Sequence, residues 1–288
     1  MYPVAAHRGF RGLAAFRRGR AGETAGAVMG EDLGAETGVH GASWGRMHGG
    51  YFSDPAVARP LVDAVRAAWD ALRPEVVVDL GGGTGFLLSR LREAGLGREA
   101  ALVNLDCSPA QLDAAAAAGV ASVRGSVDGF RREAVVPAGR SALWLMRSVL
   151  HYAGEAGLAP LLRHLRAQAK AGERWVHQTA CFERPEDADC LNALYRGMRT
   201  AKWYPAVADL RERLSAAGWR AVSVLPAPAL RLDSGELGLR YGLDEAEIAG
   251  IRESIAGAFG GRGEVFRLRP GGFQADLHYR IWICDAVS

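Results

Sequence analysis

From residue 76 to residue 180, short apolar runs alternate with segments whose apolar positions recur every three to four residues. The pattern predicts strands and helices in succession, the βαβ arrangement of an α/β fold. Strands are predicted at 76–80, 101–106, 120–124, 142–146 and 175–180, with two more at 220–225 and 276–284. The run Val76-Val77-Val78 has no polar alternation, which suits a strand buried on both faces. Helix starts are marked as clearly. Asp54-Pro55 supplies a cap and a first-turn proline, followed by an apolar face of Val57, Leu61, Val65 and Trp69 with Leu72. Ser108-Pro109 opens an alanine-rich helix over 109–118 in the same way, and Leu158, Leu161, Leu162 and Leu165 form an ordinary core stripe. Further helices are predicted within 183–204 (Asp187, Asp189, Leu191, Leu194, Tyr195), over 205–217, closed by Gly218, and over 244–259. Residues 1–40 have weak periodicity and read as a loose tail, and no internal repeat is present.

The chemistry concentrates where the first strand ends. Asp79 is followed by Leu80 and then by Gly81, Gly82, Gly83 and Gly85, after which 86–91 turns to helical spacing. A strand, a tight turn and a helix N-terminus together receive the polar part of a nucleotide-like ligand. The glycines let backbone approach that ligand more closely than any Cβ would allow. The dinucleotide pattern G-x-G-x-x-G/A fails in both registers, because its third position falls on Phe86 or Leu88. The Gly-Lys-Ser/Thr of a phosphate-cradling loop is absent. What remains is D-x-G-x-G-x-G, with a second strand ending in Asp106 about 20 residues on, where an acid grips ribose hydroxyls.

This loop and its downstream acid resemble motif I of the class I S-adenosylmethionine (SAM) dependent methyltransferases. The resemblance covers roughly residues 75–225 and the last strand. It implies a Rossmann-like seven-stranded methyltransferase sheet, mostly parallel with an antiparallel last strand at its edge, a helical N-terminal lid and cap insertions. It further implies SAM as cofactor, with Gly81, Gly82, Gly83 and Gly85 around its methionine part. Asp79 would orient the loop or the ammonium group, and Asp106 would take the ribose diol beside Cys107. An acid after the third strand contacts adenine in the family. Here Ser126 follows Gly125 directly and Asp128 comes two later, so the adenine contact stays open between them, and Asp128 also reads as a helix cap. Ser148-Val149-Leu150-His151 resembles the family's S-V-L-H segment beside the transferable methyl. That places Arg147 by the cofactor, His151 as candidate base and Tyr152 near the acceptor.

Other acceptor-side candidates are His48, Tyr51 and Phe52, which with Trp44 either fold over the site as a lid or pack the first helix. His177 and Gln178 are polar in a central strand and need partners, which substrate or each other can supply. Trp203 and Tyr204, with Met198, lie in the 183–204 insertion, where family members place substrate recognition. The longer insertion at 226–274 reads as a cap or an oligomer contact, a homodimer among the forms it allows. The organisation expected is a tail and lid over 1–53 and a methyltransferase domain over 54–288.

Composition narrows the class. The 288 residues hold 49% apolar side chains, enough for one large elaborated domain. The net charge of +3 misleads: residues 1–22 carry five arginines and no acid, leaving 30 basic against 32 acidic residues elsewhere. A body without basic excess argues against nucleic acid and for a small-molecule substrate. No apolar run approaches the roughly 18 residues of a membrane span. Cys107, Cys181, Cys190 and Cys284 form no C-x-x-C pair, so no metal site is expected and a reducing cytoplasm is the default. The expectation is a SAM-dependent methyltransferase of a small O, C or N acceptor. Two rivals stand beside it: a cyclase-like enzyme on the same fold, and a non-catalytic SAM-binding regulatory subunit.

Overall fold

The computed structural model describes residues 48–261 and 263–288, so the predicted tail and Trp44 lie outside the described residues. The first half of the described chain runs α1 (Pro55–Leu72), β1 (Val76–Leu80), α2 (Phe86–Glu93), β2 (Ala101–Asp106), α3 (Pro109–Ala117), β3 (Ala121–Arg124), α4 (Arg132–Val135) and β4 (Ala142–Arg147). It continues through α5 (Gly154–Gln168), β5 (Arg174–Ala180), α6 (Pro185–Gly197), α7 (Val207–Ala216) and β6 (Trp219–Pro226). Then come β7 (Leu230–Asp233), α8 (Ser234–Tyr241), α9 (Glu245–Phe259), β8 (Phe266–Arg269), β9 (Gly272–Leu277) and β10 (Tyr279–Ala286).

Seven strands pair in the order β3-β2-β1-β4-β5-β10-β6. The first five are parallel, and β10 is antiparallel to both of its neighbours. The expected antiparallel edge is therefore corrected. β10 is an interior strand, with Ile281, Trp282 and Cys284 fully buried, and β6 is the edge, where Val222 is 51% exposed. The predicted strand at 276–284 is also two strands. At His278 the chain leaves a second sheet, ordered β7-β9-β8, and enters the main one; the His278 carbonyl accepts the Cys181 N–H at 2.9 Å.

Strand alternation divides the valine run between two cores. Val76 and Val78 pack with Trp144, Trp175 and Trp282. Val77 packs on the other face with Leu61, Val65 and Trp69 of α1 and with Leu88. A third core joins Tyr51 and Phe52 to Leu191 of α6 and to Phe266 and Phe273 of the second sheet. The 226–274 insertion is thus packed into the body beside the segment that precedes α1. The caps read from sequence form: Asp54 Oδ1 accepts the Ala56 N–H at 2.7 Å, and Asp244 makes a capping box with Glu247. The helix expected from Pro205 starts instead at Val207. Pro205 first accepts the Phe182 N–H at 3.2 Å, and Phe182 in turn accepts the Val207 N–H at 2.7 Å.

Candidate functional site

The carboxyl ends of β1, β2 and β4 open onto one cleft, as expected of an open parallel sheet. β2 shapes its floor. Leu105 O accepts the Gly81 N–H at 2.7 Å, Asp106 Oδ2 accepts the Gly83 N–H at 2.9 Å, and Asn104 Nδ2 donates to Gly83 O at 2.9 Å. The other Asp106 oxygen accepts the Ser108 N–H at 2.8 Å. Gly81, Gly83 and Gly85 adopt positive φ of 71°, 55° and 73°, a region glycine enters without strain. Gly82 is confined sterically: a Cβ there would lie 2.3 Å from Asn104 Oδ1 and 2.6 Å from Asp79 Oδ2.

The cleft encloses about 1000 Å³ of atom-free space, counting its open mouth. Its walls come from Cys107, Ser108 and Gln111 after β2, from Gly125, Ser126 and Val127 after β3, and from Arg147, Ser148, Val149 and Tyr152 after β4. Phe52 reaches in from the segment preceding α1. Two oxygens lining this cleft are buried without a partner among the described residues, Asp79 Oδ1 and Gln111 Oε1. An orphaned buried acceptor costs about 1–3 kcal/mol, so each keeps an unused capacity to accept a hydrogen bond. Burial, and then repulsion from Asp106, push the Asp79 carboxyl up to about 7, against the pull of Arg147. Burial also raises Asp106, opposed by the N–H groups of Ser108, Gly83 and Cys107. The Arg147 guanidinium donates to Phe52 O at 3.0 Å and Tyr51 O at 3.4 Å, and so clasps the preceding segment to the end of β4.

A second, smaller chamber shares Phe52, Ser148 and Tyr152 with the first. His151 lines it, its ring 4.1 Å from that of Tyr152 and stacked at 5.3 Å on Tyr204. His48 lines it as well, with Nδ1 3.0 Å from Glu236 Oε1 and Nε2 2.5 Å from the Arg240 guanidinium. Burial first and Arg240 second hold His48 down to about 4 despite Glu236, so it is neutral at pH 7.

Of the residues singled out from sequence, Asp79, Gly81, Gly82, Gly83, Asp106, Cys107, Ser126 and Arg147 meet in the first cleft. His48, His151 and Tyr204 meet in the second, and Phe52 and Tyr152 line both. The others line neither. Gly85 caps α2, and its missing Cβ makes room for Val120. Asp128 turns back to the Ser126 hydroxyl. Tyr51 donates to Pro228 O at 2.5 Å and accepts from Gln178 Nε2 at 3.2 Å, which ties the preceding segment to the insertion and to β5. Trp203 lies under the Arg213 guanidinium at 4.9 Å. His177 is the clearest correction. Fully buried between Trp175 and Trp282, it bonds Thr179 Oγ1 at 2.7 Å through Nδ1, and burial lowers it to about 3. It is a neutral core histidine that lines neither cavity.

Sequence reasoning missed Gln111, Asn104, Lys202 and Arg240. Gln111 sits two residues after Pro109 and shows no motif, and the two cations come from distant segments. In the sequence Ser148 stands out only as part of the S-V-L-H segment. It holds a positive φ of 61°, and its hydroxyl lies 2.7 Å from Tyr279 Oη; such strain in a non-glycine residue often marks a functional position. Among the described residues no group of three or more His, Cys, Asp or Glu is placed to hold a metal ion, and no helix is long and apolar enough to cross a membrane.

No protein-family model and no curated protein matches the sequence. Solved structures do match. A protein from Bacillus halodurans C-125, described as a candidate methyltransferase, superposes with a TM-score of 0.59 at 12% identity, over 78% of this chain and 100% of that one. The YcgJ protein from Bacillus subtilis gives 0.57 at 13% identity, over 80% and 99%. The 1,6-didemethyltoxoflavin-N1-methyltransferase of Burkholderia thailandensis, solved with 1,6-didemethyltoxoflavin and S-adenosylhomocysteine, gives 0.53 at 16% identity, over 92% and 93%. The fold of this chain is the Rossmann-like fold of the class I SAM-dependent methyltransferases.

Proposed function

We propose that the chain is a SAM-dependent methyltransferase of a small molecule, with the glycine-lined cleft holding the cofactor and the adjoining chamber holding the acceptor. The observation that carries this reading is Asp79: a buried carboxylate with an orphaned oxygen, in a loop whose Gly82 leaves no room for a side chain. SAM fits what surrounds it. Its ammonium matches Asp79 Oδ1, its ribose diol matches Asp106 at the mouth of the same loop, and Gln111 Oε1 offers a second acceptor. Cys107, Ser126 and Val127 flank the side where an adenine would lie. Bound there, SAM supplies a methyl group on a sulfonium, with a neutral thioether as leaving group.

Because that leaving group needs no acid, the work left to the protein is alignment and exclusion of water. Phe52, Ser148 and Tyr152, common to both cavities, form the wall across which acceptor and methyl meet. Phe52 is fixed by Arg147, and Ser148 by Tyr279. Where the acceptor has a proton to lose, His151 is the base proposed, since it lines the acceptor chamber next to that wall. His48 is not the base proposed: Nε2 is occupied by the Arg240 guanidinium, Nδ1 faces Glu236, and its pKa is held down to about 4. Acceptor identity and the atom methylated are left to chemistry the chamber permits, an O, C or N nucleophile.

Calorimetry with SAM and S-adenosylhomocysteine tests the reading; no binding of either ends it. Asp106→Ala is expected to weaken SAM by about 1–3 kcal/mol, the scale of lost charge-assisted hydrogen bonds. Unchanged affinity would refute the ribose role. His151→Ala is expected to lower turnover of an identified acceptor by about 10²-fold with SAM affinity intact, and an unaltered rate would make its role structural.

The pH dependence follows from Asp79. In the unfolded chain its carboxyl ionises near the ordinary 3.8, and in the fold near 7. Stability of the ligand-free protein therefore falls as pH rises from about 4 to about 7 on account of this group, and is flat above. The cationic ammonium selects the ionised form, so SAM affinity should rise as pH climbs through about 7 and fall again above about 8, where an α-ammonium itself loses its proton. Asp79→Asn should remove that rise, and a wild-type affinity independent of pH over this range would count against the pairing.

A further inference from the structure

We infer that Arg147 receives the α-carboxylate of the cofactor, so that the cleft is built for a zwitterionic amino-acid end and not for an amine alone. The inference rests on the proposed SAM site and assigns one further contact within it. Among the described residues lining the cleft, Arg147 is the one cation, and Asp79 and Asp106 are the acids. With both acids ionised the lining carries one net negative charge. SAM carries one net positive charge, its sulfonium and ammonium outweighing its carboxylate. The sheet sets the geometry. Asp79 on β1 lies opposite Leu145 on the parallel strand β4, and Arg147 stands two residues further along β4. Alternation puts Leu145 and Arg147 on one face, so Asp79 and Arg147 share it, with Cα atoms about 8 Å apart. Their side chains can therefore reach two groups carried on one carbon.

The charge of Arg147 is otherwise unanswered. Among the described residues it makes no ion pair; its hydrogen bonds go to the Phe52 and Tyr51 carbonyls, at 3.0 and 3.4 Å. Its guanidinium carbon lies 5.7 and 5.5 Å from the Tyr51 and Phe52 ring centres. Those two bonds leave most of the guanidinium's donors unused, and Nε is buried with no partner. Burial pulls the group below its ordinary value of 12.5, opposed in turn by Tyr51, Tyr279, Asp79 and Asp54. It stays charged at neutral pH all the same. Carbonyls and ring faces return part of the hydration that a guanidinium loses, and a carboxylate gripped by parallel N–H···O bonds returns more. Asp79 mirrors this state as a buried carboxyl whose Oδ1 has no partner. An ammonium and a carboxylate on one α-carbon satisfy both residues at once. Arg147 then joins the amino-acid end of the cofactor to Phe52, which it already holds.

The test is calorimetry on the full chain at neutral pH with S-adenosylhomocysteine and with its decarboxylated form, which keeps the amine and loses the carboxylate. Wild type is expected to bind the first about 30-fold tighter or more, the lower end of what stranding one buried charge costs. Arg147→Met should cut that preference to about threefold or less, by weakening S-adenosylhomocysteine. Arg147→Lys keeps the charge but loses the fork, and should retain part of the preference. Loosening of Phe52 in these variants weakens both ligands alike, so the ratio of affinities isolates the carboxylate. Asp79→Asn is the converse control: both ligands should weaken, with their ratio within about threefold of wild type. If circular dichroism shows that Arg147→Met has not folded, Arg147→Gln replaces it, and the wild-type ratio is decisive on its own. A wild-type ratio under about threefold, or a preference that survives loss of Arg147, overturns the inference and leaves the SAM site standing. Binding of neither ligand by wild type removes the site and the inference together.

Discussion

Gly82→Ala is expected to abolish measurable SAM binding, with a loss of at least 100-fold, while the chain still folds. Gly82 is not in the left-handed region, so its backbone conformation would accept alanine. The obstacle is space alone. The new methyl would lie 2.3 Å from Asn104 Oδ1 and 2.6 Å from Asp79 Oδ2. Neither neighbour is a flexible tip, because Asn104 holds Gly83 O at 2.9 Å and Asp79 is packed at the end of β1. Either the loop lifts away from β2 or the Asp79 carboxylate turns from its ligand-facing position. Overpacking of this kind costs about 1–3 kcal/mol, and the lost charge-assisted contact adds about as much. Gly250→Ala is the matched control. It lies on the exposed side of α9, a Cβ there meets nothing within 4 Å, and it should leave SAM affinity unchanged. Wild-type affinity in Gly82→Ala would remove the cradle from the argument.

Glu173→Ala should lower the free energy of unfolding by about 3–5 kcal/mol, the cost of removing one partner from a buried ion pair. Glu173 is 6% exposed at the start of β5, the end of the sheet opposite the cleft. Its oxygens accept from both Arg132 nitrogens at 2.6 and 2.7 Å, from the Trp144 indole at 3.0 Å, and from the Ala142 and Lys170 N–H groups at 2.9 and 3.0 Å. Burial alone would raise its carboxyl, but Arg132 and the Lys170 and Trp144 donors outweigh that and hold it below the ordinary value of 4.5. Its contribution is therefore present above about pH 4.5 and lost as pH falls through the lower folded value. Glu173→Gln keeps the shape yet leaves Arg132 uncompensated, and should recover only part of the loss. Urea denaturation with an unchanged slope is the measurement, and a change under 1 kcal/mol for Glu173→Ala would show that the cluster is dispensable.

Local rules made the cofactor side of the site readable. A strand buried on both faces must be uniformly apolar, and a backbone that turns at once into a helix under a ligand must be glycine, so the stretch from Val76 to Gly85 could carry few other sequences. Asp106 was legible for the same reason, since its offset is set by the length of one helix and one strand. Caps such as Ser108-Pro109 and Asp244 with Glu247 act within four residues and so leave a local trace.

The sequence by itself determined the α/β succession, the glycine loop with its two acids, and the failure of the dinucleotide-binding pattern. Tertiary structure alone decided that His177 belongs to the core, because in a strand buried on both faces alternation gives no polar side to distinguish ligand from packing. It alone decided that the chain switches sheets at His278, since both sheets share a period of two and the alternation runs through unbroken. And it alone brought Lys202 and Arg240 around Tyr241: contacts between segments some 40 residues apart leave no periodicity for a sequence to show.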